Sequence, residues 1–92
     1  MKVVFSDRFE NELVAIADFI ALDSQRRADL FVDEIEWRCQ NLANMPYKCR
    51  KSLKFDNENM RDLVYKGYVI PYFIEGDCIN VLGIYKENAW EA

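Results

Sequence analysis

Any acid–base chemistry on this chain has to come from lysine, arginine, tyrosine or carboxylate side chains, because its 92 residues include no histidine. That excludes Ser-His-Asp and Cys-His catalysis and every His-ligated metal site. The three cysteines, Cys39, Cys49 and Cys78, are odd in number and no pair has CxxC spacing, so they suggest neither a disulfide framework nor a zinc site. They read as small buried hydrophobes of a reduced, cytoplasmic protein. No cofactor or metal is expected. Cationic side chains gather in one place, at Lys48, Arg50, Lys51 and Lys54. Such a run is usually a solvated loop. Its functional reading is an electrostatic anchor for an acidic partner segment or for nucleic acid.

The remaining charge distribution limits the second option. The net charge is −4; residues 1–44 carry five basic and nine acidic side chains, and residues 45–86 carry seven and five. A protein-wide basic field for nucleic acid is missing. With 51% hydrophobic and 30% charged residues, the chain reads as one globular domain spanning residues 1–92. No apolar run approaches the roughly 18–20 residues that span a bilayer. The apolar stretch at residues 1–5 is too short for a signal peptide.

The elements that must position these side chains follow from periodicity. Residues 3–5 read as a first strand. Ser6 is a suitable N-cap, with Asp7 and Glu10 in the first turn, where the helix dipole favours anions. Phe9, Leu13, Ile16, Ala17 and Ile20 then form one apolar helical stripe, with Glu12 among the residues on other faces. Asp23 and Ser24 break that pattern and offer a second cap. Ala28, Phe31, Val32, Ile35, Cys39 and Leu42 make a second stripe running to about Ala43, so an antiparallel helical hairpin is expected. Trp37 lies off this stripe and either packs over the edge of the hairpin or is an exposed aromatic for a partner. Met45-Pro46 ends the helix. The period then switches to two, with strands expected over 52–55, 60–65, 68–74 and 78–85 and turns at Lys66-Gly67 and Glu75-Gly76-Asp77. An antiparallel meander covered by the hairpin is a two-layer α+β domain. Pro71 cannot donate to a sheet ladder, so a bulge or bend is expected there.

The order strand, helix, helix, meander, together with Arg61, the run Gly67-Tyr68-Val69-Ile70-Pro71-Tyr72, the Gly76-Asp77 turn and the final Ile79-Asn80-Val81-Leu82-Gly83-Ile84, resembles the RelE/ParE superfamily of toxins from bacterial type II toxin–antitoxin systems. Phe5-Ser6 ahead of the first stripe and Leu42-Ala43-Asn44-Met45-Pro46 at the second helix exit agree with that family. The similarity runs over nearly the whole chain. It implies a two-layer fold, a cognate antitoxin as partner, and one of two targets. RelE-like members are ribosome-dependent endoribonucleases that cut mRNA; ParE-like members poison DNA gyrase and cut no RNA.

RNA cleavage by 2′-OH attack needs a group to take a proton, a charge to offset the phosphorane and an acid for the leaving oxygen. By resemblance, Arg61 matches the phosphate-contacting arginine, Tyr85 and Lys86 stand where nucleases carry histidine or tyrosine, and Lys54 adds positive charge. The departures favour the gyrase branch. A second arginine usual in the family is Val69 here, a C-terminal histidine is Lys86, and the chain is acidic whereas ribosome-bound nucleases are generally basic. The ParE reading needs only a surface, for which Trp37, the basic run and Trp90 near the C-terminus are candidates. A binding protein of the same fold without toxicity is the third reading.

Overall fold

In a computed structural model, residues 1–87 are described. Strand β1 (Lys2–Phe5) leads into helix α1 (Asp7–Ala21) and helix α2 (Gln25–Gln40), which tightens into a 3-10 turn over Asn41–Ala43. Four further strands carry most of the sheet: β2 (Arg50–Lys51), β3 (Met60–Tyr65), β4 (Tyr68–Glu75) and β5 (Cys78–Val81), and a short β6 (Tyr85–Lys86) follows. The order across the sheet is β1-β5-β4-β3-β2, with β6 also on β4.

Both expected caps are present. Ser6 accepts from the Phe9 amide at 3.0 Å and Ser24 from the Arg27 amide at 3.2 Å, each satisfying an amide that the first helical turn leaves without a partner. The two stripes cover one side of the sheet. Phe9, Leu13, Ile35, Cys39 and Leu42 pack on Leu63, Ile70, Tyr72, Ile74, Ile79, Val81 and Ile84. The β3–β4 turn has positive φ at both central residues, Lys66 (50°) and Gly67 (83°), the twist that suits a two-residue hairpin.

Three details differ from the periodicity. The sheet is mixed, because β1 runs parallel to β5 (Val3 opposite Ile79). The short strand after α2 is Arg50–Lys51, not 52–55, where the Ser52 hydroxyl accepts from the Lys54 and Phe55 amides and curls the chain into a turn. The last strand is broken at 82–84. Tyr72 faces Val81, yet Val69 faces Tyr85, so the register slips by one residue: a β-bulge on the strand opposite Pro71.

Proline explains the position of that bulge. Leu82 donates its amide to the Pro71 carbonyl at 2.9 Å, but Pro71 has no N–H to return. The Leu82 carbonyl instead accepts from the Ser6 hydroxyl at 3.0 Å. Two residues on, the Ile84 amide donates to Glu12 Oε1 at 3.0 Å. Gly83 between them leaves room for that carboxylate, since a Cβ there would lie 2.7 Å from the same oxygen. Ser6 and Glu12 thus fasten the start of α1 to the bulge. No helix among the described residues is long and apolar enough to cross a membrane.

Candidate functional site

The bulge decides where Tyr85 points. Strict alternation would put Tyr85 on the same side as Val81 and Gly83, under the helices. The extra residue reverses that: Ile84 enters the core and Tyr85 turns to the far side, paired with Val69. Lys54 lies over its ring, Nζ 4.2 Å from the centroid. On the same side, Arg50 sits opposite Asp62 in the β2–β3 register. Its guanidinium reaches the Asp62 carboxylate at 3.5 Å and that of Glu87 at 3.6 Å.

Of these groups Tyr85, Lys54 and Asp62 line a cavity of about 430 Å³. Asp62, Met60 and Pro71 from the sheet, Leu82 and Gly83 from the bulge, Lys54 and Phe55 from the loop, and Arg8 and Glu12 from α1 line it. Asp62 is only 4% exposed. Glu12 uses its second oxygen on Arg8, Nε to Oε2 at 3.2 Å. Asp62, Glu12 and Arg8 were not legible as site residues. Asp62 interrupts an apolar alternation without a signal of its own, and Arg8–Glu12 has only the four-residue spacing of an ordinary helical ion pair.

Arg61 is elsewhere. It shares the helix-facing side with Leu63 and Tyr72. Its Nε donates to the Glu58 carbonyl at 2.8 Å, and one terminal nitrogen donates to the carbonyls of Cys49 at 3.1 Å and Tyr47 at 3.4 Å. The Tyr47 ring lies 5.0 Å from its guanidinium carbon. Lys86 also turns to the helix-facing side, opposite Tyr68, with Nζ 5.5 Å from that ring. Tyr68 and Tyr72 are four residues apart on β4, about 13 Å along a strand. Tyr85 and Lys86 both border a second cavity, of about 520 Å³, between α1 and β6, whereas Arg61 lines neither cavity.

The basic run splits in the same way. All four are exposed; Lys54 lines the cavity, Arg50 pairs with the Asp62 carboxylate, and Lys51 stands opposite Arg61. Trp37 does not pack over the edge of the hairpin; it is 63% exposed. Trp90 lies outside the described residues. Among those residues, no group of three Cys, Asp or Glu side chains is placed to hold a metal ion.

Two buried groups on the helix-facing side, Cys39 and Tyr72, are neutral at neutral pH. Burial, with the charge of Glu36 and then that of Cys49 adding to it, pushes the Cys39 thiol up to about 12. Burial likewise raises the Tyr72 phenol, which donates to the Pro46 carbonyl at 2.6 Å. Neither is a base or nucleophile at neutral pH.

Residues 3–88 match the sequence model of the ParE toxin of type II toxin–antitoxin systems. No curated protein matches the chain significantly. Among solved structures, the chain is similar to the chromosomal ParDE toxin–antitoxin system of P. aeruginosa, with 19% identity over 94% of this chain and 95% of that one and a TM-score of 0.76. It is also similar to the RelB-RelE antitoxin–toxin complex of Methanococcus jannaschii, with 20% identity over 94% and 92% and a TM-score of 0.55. A conserved hypothetical protein of Helicobacter pylori shares 15% identity over 96% of both chains with a TM-score of 0.56. These structural likenesses establish a common fold.

Proposed function

The chain belongs to the ParE toxin family of type II toxin–antitoxin systems, and from that membership we propose that it is a ParE-like toxin, inhibiting DNA gyrase through surface contacts in the cytoplasm and neutralised by a cognate antitoxin. The observation that carries the reading is the commitment of Arg61 to three backbone carbonyls. A guanidinium that neutralises a phosphorane must turn its donors to the phosphate, and here they hold the loop before β3. The position of Arg61 outside the cavities that Tyr85 and Lys86 line supports the same conclusion, because the groups of one reaction must meet at one substrate.

The antitoxin's contacts are assigned to the outer surface of the helical hairpin, where Trp37 is 63% and Val14 58% exposed. The exposed Lys48 and Lys51 supply attraction for an acidic segment. The test pairs a supercoiling assay with purified gyrase and a map of mRNA 5′ ends after a brief pulse of expression. Inhibited supercoiling with no new cuts is expected. Cuts in register with codons would overturn the reading in favour of a ribosome-dependent nuclease. Growth unaffected by expression would favour a non-toxic binding protein of this fold.

A further inference from the structure

We infer that the cavity on the far side of the sheet takes the guanidinium of an arginine from a partner polypeptide, with Asp62 as its counter-charge. The identity of the occupant as a polypeptide rests on the reading of the chain as a protein that works by binding others. Asp62 is 4% exposed and lines the cavity. A buried carboxylate is costly unless it is closely paired. Among the described residues its one ionic contact is Arg50, which reaches Oδ2 alone, at 3.5 Å. That same guanidinium is shared with Glu87 at 3.6 Å. Both distances are at the outer edge of contact, where a hydrogen bond is weak. The carboxylate therefore keeps acceptor capacity that the described residues leave unused.

The rest of the cavity selects the donor. Met60, Pro71 and Leu82 are apolar walls, suited to the methylenes of a long side chain. A planar guanidinium can engage both carboxylate oxygens at once, which an ammonium does not do. Arg8, whose side chain is 79% exposed, and Lys54 belong to the same lining, so cations border a carboxylate floor. That order of charge fits an arginine carried in an otherwise acidic segment.

The test uses the purified full-length chain and L-arginine amide as probe, followed by the backbone amide resonances, with citrulline amide as the neutral isostere. Arginine amide should give saturable shifts at Met60, Asp62, Gly83 and Ile84, and citrulline amide should bind about tenfold more weakly or less, as loss of a charge-assisted pair demands. Asp62→Asn should weaken the probe by a similar factor. Arg50→Met removes the internal competitor and should bind the probe several-fold more tightly, a gain that a purely structural Asp62 would not produce. If Asp62→Asn fails to fold, the isostere contrast and Arg50→Met decide. Equal response to both amides, no saturable shift in the parent protein, or no gain in Arg50→Met overturns the assignment. The probe reads the cavity without gyrase, ribosome or antitoxin, so failure here leaves the toxin reading standing, and failure of that reading leaves this result unchanged.

Discussion

Arg50 and Arg61 lie one register pair apart across β2 and β3, and they face opposite sides of the sheet. On the helix-facing side, Arg61 is spent on the backbone: its donors close the loop carbonyls of Tyr47, Cys49 and Glu58. On the far side, Arg50 reaches two carboxylates, neither closer than 3.5 Å. Two like residues on neighbouring strands thus have different work. One is a fixture that completes the hydrogen bonding of an irregular segment, and the other is loosely paired with a carboxylate that lines a cavity. Alternation along a strand, rather than residue type, separates the cation that fixes a loop from the one that pairs loosely with Asp62.

The sharpest way to break that comparison is Arg61→Met. It strips donors from three carbonyls while keeping the apolar stem, and should destabilise the fold by about 2–4 kcal/mol, read by urea denaturation. Toxicity per folded molecule should persist. A stable variant that has lost toxicity would reverse the assignment and make Arg61 a functional group. Ser6→Ala comes next, because one hydroxyl both caps α1 and takes the place of the missing Pro71 amide on the Leu82 carbonyl. A loss of about 1–2 kcal/mol is expected in the same measurement. A loss within a few tenths would show that water replaces both bonds.

Gly83→Ala should cost about 1 kcal/mol, through Glu12 rather than through the backbone. The new methyl meets the carboxylate end of a flexible side chain, which moves away and abandons the Ile84 amide. In a double-mutant cycle with Glu12→Ala the two losses should be clearly less than additive. Full additivity would mean that Gly83 is required for another reason. Cys39 offers a comparison within the helix-facing layer. Its folded pKa of about 12 stands above the ordinary 9.0, so the folded state holds the proton more tightly. The stability it contributes is fully present below pH 9.0 and is lost as pH rises towards 12. At pH 8, iodoacetamide should label Cys49 and Cys78, both half-buried, well before the fully buried Cys39. Equal labelling would indicate that the layer opens locally.

The two layers were legible to different degrees, for physical reasons. Helical stripes, serine caps and two-residue turns are local, and Ser6, Ser24 and Lys66-Gly67 stand where local chemistry put them. The conflict at Pro71 was also visible, but its outcome was not. The facing strand took up the irregularity, with help from Ser6 and Glu12 more than 70 residues away in sequence. That single slip moved Tyr85 off the side which alternation assigned to it. The parallel pairing of β1 with β5 and the burial of Asp62 are likewise products of long-range assembly, which no window of neighbouring residues encodes. The cavity was hidden for that reason: each of its walls comes from a different segment.

Trp37 should give the smallest change in stability and the clearest change in binding. Its side chain is 63% exposed on α2, in a shallow depression shared with Leu30, Asp33 and Glu34. Replacing it by serine removes little buried area, so the denaturation midpoint should move by no more than about 0.5 kcal/mol equivalent. An exposed tryptophan that becomes buried in a complex commonly anchors it, at about 2 kcal/mol or more. Trp37→Ser should therefore weaken the cognate antitoxin by at least about thirtyfold in a calorimetric titration, while Lys48→Ser and Lys51→Ser mainly slow association and reduce its salt dependence. The split matters for the two sides of the molecule. If the tryptophan carries the affinity, the hairpin is the side that meets the antitoxin and the cavity holds at most one arm of it. An unchanged affinity in Trp37→Ser would move the main contact off the hairpin, and the far side of the sheet, with its loosely paired Asp62, would become the principal interface.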